Sequence, residues 1–224
     1  QEVIENPKLD ILNLGYQIEY HDKTVWQEHA QSNNPVCTGV EYLQQNFGSF
    51  FLWRNVYKRL FLEKHQLKFD AKVFSLEDTL FNIRAYSFAK KIKVFKEPFY
   101  FYRYNDTSIS KKKSNAKKEK RADSSMYVHK QLRKDLNHMD ASSARYSAVL
   151  GQLNFSVMGF FYSIIKERLS FSYLKKVNEI YFKEELLPIR GKEPRLKLKL
   201  FRWAINNKWP FVLILFTNLI FNKR

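Results

Sequence analysis

Hydrophobic and polar residues alternate near the start of the chain, and helical spacing follows. Between Leu9 and Tyr20, apolar residues occupy mainly every second position, and Ile, Leu and Tyr are frequent. This alternation predicts a strand, because successive side chains of a strand point to opposite faces. Thr38 and Glu41 have the spacing of a capping box, which predicts a short helix over 39–47.

The stretch that follows predicts two helices and two strands. Apolar residues three or four positions apart over 52–65 indicate a helix. A second helix is expected over 77–89 with Ser75 as its N-cap, and the segments 92–94 and 98–103 predict two strands. The first half of the chain is therefore expected to be mixed α/β.

In the second half, apolar residues recur at helical spacing, and no segment has a convincing strand pattern. The expected helices cover residues 118–136, 141–168 and 172–186. The chain is thus expected to comprise three regions, namely 1–113 (mixed α/β), 114–189 (helical) and 190–224 (a basic tail).

The composition suits a folded chain and excludes several kinds of site. Of the 224 residues, 45% are hydrophobic and 17% aromatic, which is enough for a packed core and excludes disorder of the whole chain. Cys37 is the one cysteine, so an internal disulfide framework and a zinc site with several cysteines are excluded. The five histidines lack metal-ligand spacing.

Positive charge is concentrated in two segments. The net charge is +17; residues 111–121 contain seven basic residues and one acidic residue, and residues 190–224 contain nine and one. Such segments occur as solvated faces, as surfaces that bind nucleic-acid phosphates, and as patches that bind anionic membranes. No recognition-helix, zinc-finger or single-strand-binding signature occurs, which disfavours nucleic acid as the partner.

The tail combines cations with apolar residues. Residues 195–209 interleave basic and apolar positions and include Trp203 and Trp209, whereas the twelve residues 210–221 are uncharged and largely apolar. Twelve residues are too few to span a bilayer as a helix, which takes about 20. They are enough to lie along the headgroup boundary of an anionic membrane, with the tryptophans as anchors. A helix docked on the core is the alternative.

The chemistry-bearing residues lie between 53 and 110. Glu77 and Asp78 stand in the first turn of a predicted helix, where the helix dipole favours carboxylates. Asp78 is therefore either a helix-start residue or a base that faces a cleft and takes a proton from a hydroxyl. Arg103 follows a run of aromatic residues and either pairs at the surface or meets a phosphate. The spacing alone does not separate these alternatives.

The ordered set of motifs in this part resembles a known family. A segment W-x-x-x-Y-x-R-x-F-L, a segment ending in E-D-T-x-F and a closing Y-x-Y-R-x-x-x-x-S-I-S follow one another over residues 53–110. The residues that carry the resemblance are Trp53, Tyr57, Arg59, Phe61, Leu62, Leu67, Phe69, Glu77, Asp78, Thr79, Phe81, Tyr102, Arg103, Ser108, Ile109 and Ser110. The set resembles the second half of the catalytic domain of bacterial family 2 glycosyltransferases, which are inverting enzymes of GT-A fold. The match covers roughly residues 9–110.

The resemblance implies a role for each matching residue. Asp78 would be the general base that deprotonates the acceptor hydroxyl, and Glu77 would shape the acceptor site. Trp53 would offer an aromatic face to an acceptor sugar. Tyr102, Arg103 and Ser108 would approach the donor diphosphate, for which a guanidinium is well suited.

The resemblance also implies a fold, an activity and a location. The fold is the C-terminal part of a GT-A (nucleotide-diphospho-sugar transferase) fold followed by a mainly α-helical region. The activity is transfer of a sugar, typically a hexose, from a nucleotide-sugar donor to a glycan or lipid-linked acceptor in capsule or lipopolysaccharide biosynthesis. The location is cytoplasmic, peripheral at the inner face of the cell membrane.

One departure from the family pattern bears on the donor site. Family members carry an Asp-x-Asp motif that holds a divalent metal (Mg²⁺ or Mn²⁺) and the diphosphate, and no two aspartates of this chain are two positions apart. We therefore expect the chain to lack the donor-binding half and to be inactive alone, with an exposed sheet edge that favours aggregation. A non-catalytic basic helical module that binds anionic membrane or nucleic acid is the alternative function.

Overall fold

The computed structural model describes residues 8–20, 25–28, 35–48, 50–103, 115–167, 169–190 and 196–207. The strands in these residues are β1 (Ile11–Glu19), β2 (Val25–Glu28), β3 (Val36–Cys37), β4 (Asn55–Tyr57) and β5 (Ile92–Arg103). The helices are α1 (Gly39–Gln45), α2 (Arg59–Lys64), α3 (Glu77–Phe88), α4 (Asn115–Asn137), α5 (Ala144–Lys166), α6 (Phe171–Lys183) and α7 (Leu196–Asn206), with a 3-10 turn at Leu52–Arg54. The predicted order, mixed α/β and then helical, is confirmed.

The sheet is built around the parallel pair β1 and β5. Its order is β2-β1-β5-β3, and β4 pairs with β1 beside β2. Strands β2 and β4 run antiparallel to β1, and β3 runs antiparallel to β5. The first six residues of β1 are buried, as expected for a central strand that is covered on both faces. The strand predicted at the start of the chain is thus confirmed.

Residues 92–103 form one strand, so the prediction of two separate strands is wrong. The register with β1 shifts beside Leu14 and Gly15, where Leu14 pairs with Phe95 and Gly15 with Pro98. Such a shift is a β-bulge, which accommodates extra residues without ending the pairing. The polar pair before Pro98 is therefore a bulge within β5 and not a break between strands.

The helix predicted over 52–65 is also wrong in its first half. The chain forms the 3-10 turn and then β4, and only residues from Arg59 to Lys64 are helical. Val56 and Tyr57, which have high β-propensity, pair with Leu12 and Ile11 across the sheet. Tertiary pairing with β1 therefore overrides the helical spacing of the apolar residues.

The sequence predicts a cap for two helices of the first half, those over 39–47 and 77–89. Both helices are found, but only the first has the predicted cap. The Thr38 hydroxyl accepts a hydrogen bond from the Glu41 backbone amide, and the Glu41 carboxylate accepts one from the Thr38 amide, so the capping box at α1 is confirmed. Helix α3 begins after Leu76, which has φ 68° and gives no side-chain cap. Ser75 is therefore not the N-cap.

A single large hydrophobic cluster joins the sheet to the helices. It includes Ile11 and Ile92 from the sheet, Tyr86 from α3, Leu153 from α5 and Tyr181 from α6. Helix α5 is long and apolar enough to cross a membrane, but half of its most apolar window is buried inside the protein. In this structure α5 is a core helix against which α4 and α1 pack.

Candidate active site

Helix α3 presents three polar side chains, Asp78, Asn82 and Tyr86, on one face toward the segment 50–57. The three residues are four positions apart, so they lie on one helical stripe. Asp78 heads the stripe, and its Oδ2 accepts a hydrogen bond from the backbone amide of Leu52 at 3.1 Å. Asp78 is half-buried, whereas the adjacent Glu77 is exposed. The structure therefore fixes the carboxylate of Asp78 against a neighbouring loop and leaves Glu77 in solvent.

The second residue of the stripe, Asn82, is fully buried and holds the segment 50–57 in place. Its amide nitrogen donates to the Phe50 carbonyl at 2.8 Å, and its amide oxygen accepts from the Tyr57 hydroxyl. Burial raises the pKa of Tyr57, so its hydroxyl keeps its proton as a donor. These bonds fix the loop that supplies the amide to Asp78.

The third residue, Tyr86, connects this loop to β1. Its hydroxyl donates to Asn55 Oδ1 at 2.6 Å, and it accepts from Asn13 Nδ2 at 3.2 Å. The Tyr42 hydroxyl completes the network by donating to Asn13 Oδ1 at 3.1 Å. Burial raises the pKa of Tyr86 well above its usual value, which keeps the hydroxyl neutral. A buried network whose polar groups are paired gives the site one fixed arrangement.

An aromatic cluster surrounds Trp53, one residue after Leu52. The Trp53 ring stacks with Phe51 at 4.8 Å, with Tyr100 at 4.5 Å and with Tyr102 at 5.7 Å between ring centroids. Tyr16 meets its edge at 4.8 Å. Trp53 and Tyr102, two residues that the resemblance assigns to substrate, are thus brought together. A sugar stacked on Trp53 would lie beside rings that already cover part of it.

Arg103 lies apart from this cluster. Neighbouring residues of a strand point to opposite faces, so Arg103 and Tyr102 do not share a face of β5. The Arg103 side chain is exposed, and its Nε is 3.9 Å from Glu19 Oε2 across the β1–β5 pair. The structure does not place Arg103 with Asp78. Ser108, the third residue of the predicted donor set, lies outside the described residues.

A cavity of about 400 Å³ begins at the first turn of α3 and extends between α4 and α5. Its wall is apolar at Phe50 and Phe160, and it includes two cations, Lys118 and Arg121. Five hydroxyl side chains line it as well: Ser75, Thr79, Ser125, Ser156 and Ser163. Thr79 follows Asp78 directly. The cavity, which Thr79 and Ile83 of α3 line and Asp78 does not, thus offers both an apolar wall and hydrogen-bonding groups.

One of these hydroxyls is oriented by a buried histidine. His129 is fully buried, its Nδ1 lies 2.6 Å from the Tyr181 hydroxyl, and its Nε2 lies 2.8 Å from Ser156 Oγ. Burial lowers the pKa of His129 to about 3, so the ring is neutral and carries one proton. Tyr181 needs an acceptor for its buried hydroxyl, which we assign to Nδ1. Nε2 then donates to Ser156, which lines the cavity and keeps its own proton as a donor.

The described residues contain no group of three or more His, Cys, Asp or Glu side chains that could hold a metal ion. This part of the chain therefore does not fit the divalent metal that the resemblance implies.

Sequence reasoning found the carboxylate at the start of α3 but missed the groups that hold it. Asn82 and Asn13 look like ordinary polar residues in the sequence, and their partners are more than 20 positions away. The sequence does contain one sign of this polar face, which is the i, i+4, i+8 spacing of Asp78, Asn82 and Tyr86 within the helix.

Two curated proteins of Bacillus subtilis (strain 168) are similar to this chain in sequence. The uncharacterized glycosyltransferase EpsJ is 29% identical over 115 residues, which cover 49% of this chain and 33% of EpsJ. The putative glycosyltransferase EpsH is 30% identical over 106 residues, which cover 45% of this chain and 31% of EpsH. The matched part spans about a third of each relative's own length. No family model matches the chain.

A solved structure has the same fold. Staphylococcus aureus TarS 1-349, crystallised in complex with UDP-GlcNAc, superposes with a TM-score of 0.67 at 14% identity, over 99% of this chain and 63% of TarS. The predicted fold class, a part of a GT-A-like domain followed by helices, is therefore confirmed. The resemblance to glycosyltransferases that the motifs between residues 53 and 110 indicated is confirmed by the two relatives.

Proposed function

We propose that this chain forms the acceptor side of an inverting glycosyltransferase. The enzyme would transfer a sugar from a nucleotide-sugar donor to a glycan or lipid-linked acceptor during the synthesis of a cell-surface polysaccharide. The observation that carries the proposal is the position of Asp78. Its carboxylate is anchored at the start of α3 by the backbone amide of Leu52, the residue before Trp53, in a chain that is similar to glycosyltransferases.

In the proposed reaction, Asp78 is the general base. Its Oδ2 accepts the Leu52 amide, which leaves Oδ1 for the acceptor. Oδ1 takes the proton of the acceptor hydroxyl while that oxygen attacks the anomeric carbon of the donor sugar. The bond from the anomeric carbon to the diphosphate oxygen breaks, and the nucleoside diphosphate leaves with the electron pair. Attack opposite the leaving group inverts the anomeric configuration.

The acceptor would lie across Trp53 and the cavity. Ser156 donates its proton toward an acceptor oxygen, and the apolar wall at Phe160 covers the nonpolar part of the acceptor. Glu77, the exposed carboxylate next to Asp78, would help to shape the acceptor site. An acceptor that joins a polar head to a hydrocarbon chain matches this mixed lining.

On the donor side, Tyr102, Arg103 and Ser108 would meet the diphosphate. The ion pair of Arg103 with Glu19 is exposed and long, so exchanging it for a phosphate costs little. We further propose that the complete enzyme uses Mg²⁺ or Mn²⁺, as the resemblance implies, with ligands outside the described residues.

The test of Asp78 is a matched pair of variants in the full-length enzyme. Asp78→Asn removes the base and keeps the shape, so we expect turnover to fall by roughly 10²–10⁴-fold while nucleotide-sugar binding is retained. Glu77→Gln changes the adjacent, exposed carboxylate and should lower turnover by less than about tenfold. Turnover is measured as release of the nucleoside diphosphate, and binding by calorimetry. Full turnover of Asp78→Asn would contradict the proposed role.

We also propose that the tail binds an anionic membrane surface at the cytoplasmic face. Helix α7 docks on the core through Phe201, Ala204 and Ile205, so the docked helix that the sequence left open is found. Its other side exposes Leu196, Leu200 and Trp203, which are spaced as one stripe. Lys197, Lys199 and Arg202 lie between them. A helix with a docked face and an exposed basic, apolar face can bind lipid without leaving the core.

Liposome sedimentation tests this proposal and the non-catalytic alternative together. The triple variant Leu196→Ser, Leu200→Ser, Trp203→Ser should lose most binding to anionic vesicles. Binding of the unaltered chain should weaken as the salt concentration rises. Asp78→Asn should bind vesicles normally. If vesicle binding is strong while the full-length enzyme shows no transferase activity, the non-catalytic basic module is the better description. If the triple variant binds normally, α7 is not the membrane contact.

A further inference from the structure

We infer that the chain has a second anion site, at the other end of α3 from Asp78, which binds a ligand that carries a phosphate or diphosphate. The site is a cavity of about 520 Å³ formed by the end of α3, the end of α4, the start of α5 and the segment after α2. Helix α3 has 12 residues, so its two ends lie roughly 16 Å apart. The inference goes beyond the proposed transfer reaction and does not depend on it.

Cations dominate the lining of this cavity. Lys68, Arg84, Lys134 and Arg145 line it together with the side chains of His65 and His138. Asp135 is the one carboxylate among the described lining residues, and Arg84 binds it in a bidentate manner at 2.7 and 3.1 Å. Four cationic side chains therefore face a single carboxylate in the described lining, which leaves a net positive charge. Such a concave cationic surface attracts anions.

Arg145 supplies the specific geometry. Its guanidinium lies over the Phe88 ring at 3.8 Å, and its Nη2 makes one long hydrogen bond of 3.3 Å to Ser87 Oγ. Its Nε is buried and has no hydrogen-bond partner. A buried donor without a partner is destabilising, and a guanidinium presents its donors in a rigid planar fork. A phosphate group in the cavity would pair with this guanidinium.

The effect of burial on the charge of Arg145 also favours an anion in the cavity. Burial lowers the pKa of the Arg145 guanidinium, and Asp135 offsets only part of that effect. A charged group that burial destabilises gains from an anion placed next to it. The cavity therefore provides positive charge that a phosphate group would complement.

A smaller neighbouring cavity extends the basic surface. It has a volume of about 180 Å³, shares His65 and Phe88 with the larger one, and is lined by Lys58, Lys64 and Lys90. Asp10 also lines it, but Oδ2 of this carboxylate accepts the backbone amides of Lys90 and Lys91 at 2.8 and 3.1 Å. Two adjoining basic cavities suit a ligand with more than one phosphate, or a phosphate with a further acidic group.

Titration of the full chain with inorganic pyrophosphate tests the site, at constant ionic strength set with sodium chloride. We expect Arg145→Gln to weaken binding by about tenfold or more, because it removes a charge-assisted contact. Lys134→Gln, which alters an exposed residue of the lining, should weaken binding about threefold to tenfold. Lys176→Gln on α6, also exposed but outside the lining of the cavity, is the control and should leave the affinity unchanged. Thermal unfolding checks that each variant is folded.

The arms of the experiment also separate the two sources of such a phosphate. Binding of pyrophosphate that Arg145→Gln and Lys134→Gln weaken supports a soluble ligand. The vesicle experiment uses a chain that carries Leu196→Ser, Leu200→Ser and Trp203→Ser. If the same variants weaken its binding to phosphatidylglycerol vesicles, the result supports a lipid headgroup. If neither probe distinguishes Lys134→Gln from Lys176→Gln, the inference is wrong. Loss of transferase activity in Asp78→Asn has no bearing on these affinities.

Discussion

The side-chain amide of Asn82 donates a hydrogen bond to the backbone carbonyl of Phe50 at 2.8 Å, one helical turn after Asp78. The same side chain accepts from Tyr57, so a single asparagine fixes both ends of the segment that faces the carboxylate. The proposed base is therefore held by its own helix and by a loop that the helix itself orients.

Replacing Asn82 should destabilise the fold and the site together. Asn82→Leu leaves the Phe50 carbonyl and the Tyr57 hydroxyl without their buried partner, and we expect a loss of roughly 2–4 kcal/mol in the free energy of unfolding. Asn137→Leu at the exposed end of α4 is the control and should change it by less than about 0.5 kcal/mol. Urea denaturation measures both. Equal midpoints for the two variants would show that the network adds no stability.

Two glycine-to-alanine substitutions should change the free energy of unfolding in opposite directions. A Cβ on Gly39 would lie 1.8 Å from the backbone oxygen of Tyr86, so Gly39→Ala forces α1 away from α3 and should cost roughly 3 kcal/mol or more. A Cβ on Gly159 meets no atom within 4 Å, and Gly159→Ala should stabilise α5 by about 0.5–1 kcal/mol. The measurement is the urea midpoint of each variant. A stable Gly39→Ala would mean that the two helices do not approach as closely as described.

Acid should destabilise the protein through His129. The pKa of this residue is about 3 in the folded chain and near 6.5 in the unfolded chain, because burial destabilises the charged imidazolium. Between these values the unfolded chain binds a proton that the folded chain does not. Stability is thus complete above pH 6.5 and falls by about 1.4 kcal/mol per pH unit as the pH drops toward 3.

The pH range from about 6.5 to 5.5 separates this effect from the carboxylates, whose titration begins lower, although His65, whose pKa burial also lowers, adds in the same direction. His129→Gln should flatten the dependence of unfolding free energy on pH in this range, whereas Asn137→Leu, which removes no titratable group, should not. Identical slopes for the original chain and His129→Gln would contradict a buried neutral imidazole.

The outer half of β5 should make the chain prone to association. Phe99 and Phe101 are 71% and 70% exposed, and in the described residues β3 pairs only with the first part of the strand. Exposed aromatic side chains on an incompletely paired strand favour intermolecular pairing. Phe99→Ser with Phe101→Ser should raise the monomer fraction in sedimentation at high protein concentration. Replacing the exposed Phe155 instead should have a smaller effect, because it lies on a helix.

Local patterns predicted the parts of the fold that local physics decides. The alternation in β1, the capping box at Thr38 and the helical spacing after residue 115 were all sufficient, because each reflects burial or a contact within a few residues. The segment 52–57 was mispredicted as helix because its strand exists only by pairing with β1, more than 40 positions away. Spacing within a segment contains no information on such a partner.

The candidate site, like the fold, could be predicted from the sequence only in part. Asp78 was identified because it belongs to an ordered set of motifs, and the structure shows it anchored. The contribution of Ser156 and His129 could not be read from the sequence, since it depends on three helices meeting in the core. Whether Trp53 and Arg103 act as the resemblance implies stays a prediction that the variants in the full-length enzyme would address.

The buried amide of Gln152 on α5 has a consequence for how this architecture can be modified. It donates to the backbone carbonyls of Leu43 and Asn46 at the end of α1, and so ties the helical half to the mixed half without any intervening solvent. A chimaera that joins this sheet to another protein's helices would leave those carbonyls buried and unpaired. The helices after β5 are therefore not interchangeable on their own, and a chimaera with a relative should fold only when both halves are moved as one unit.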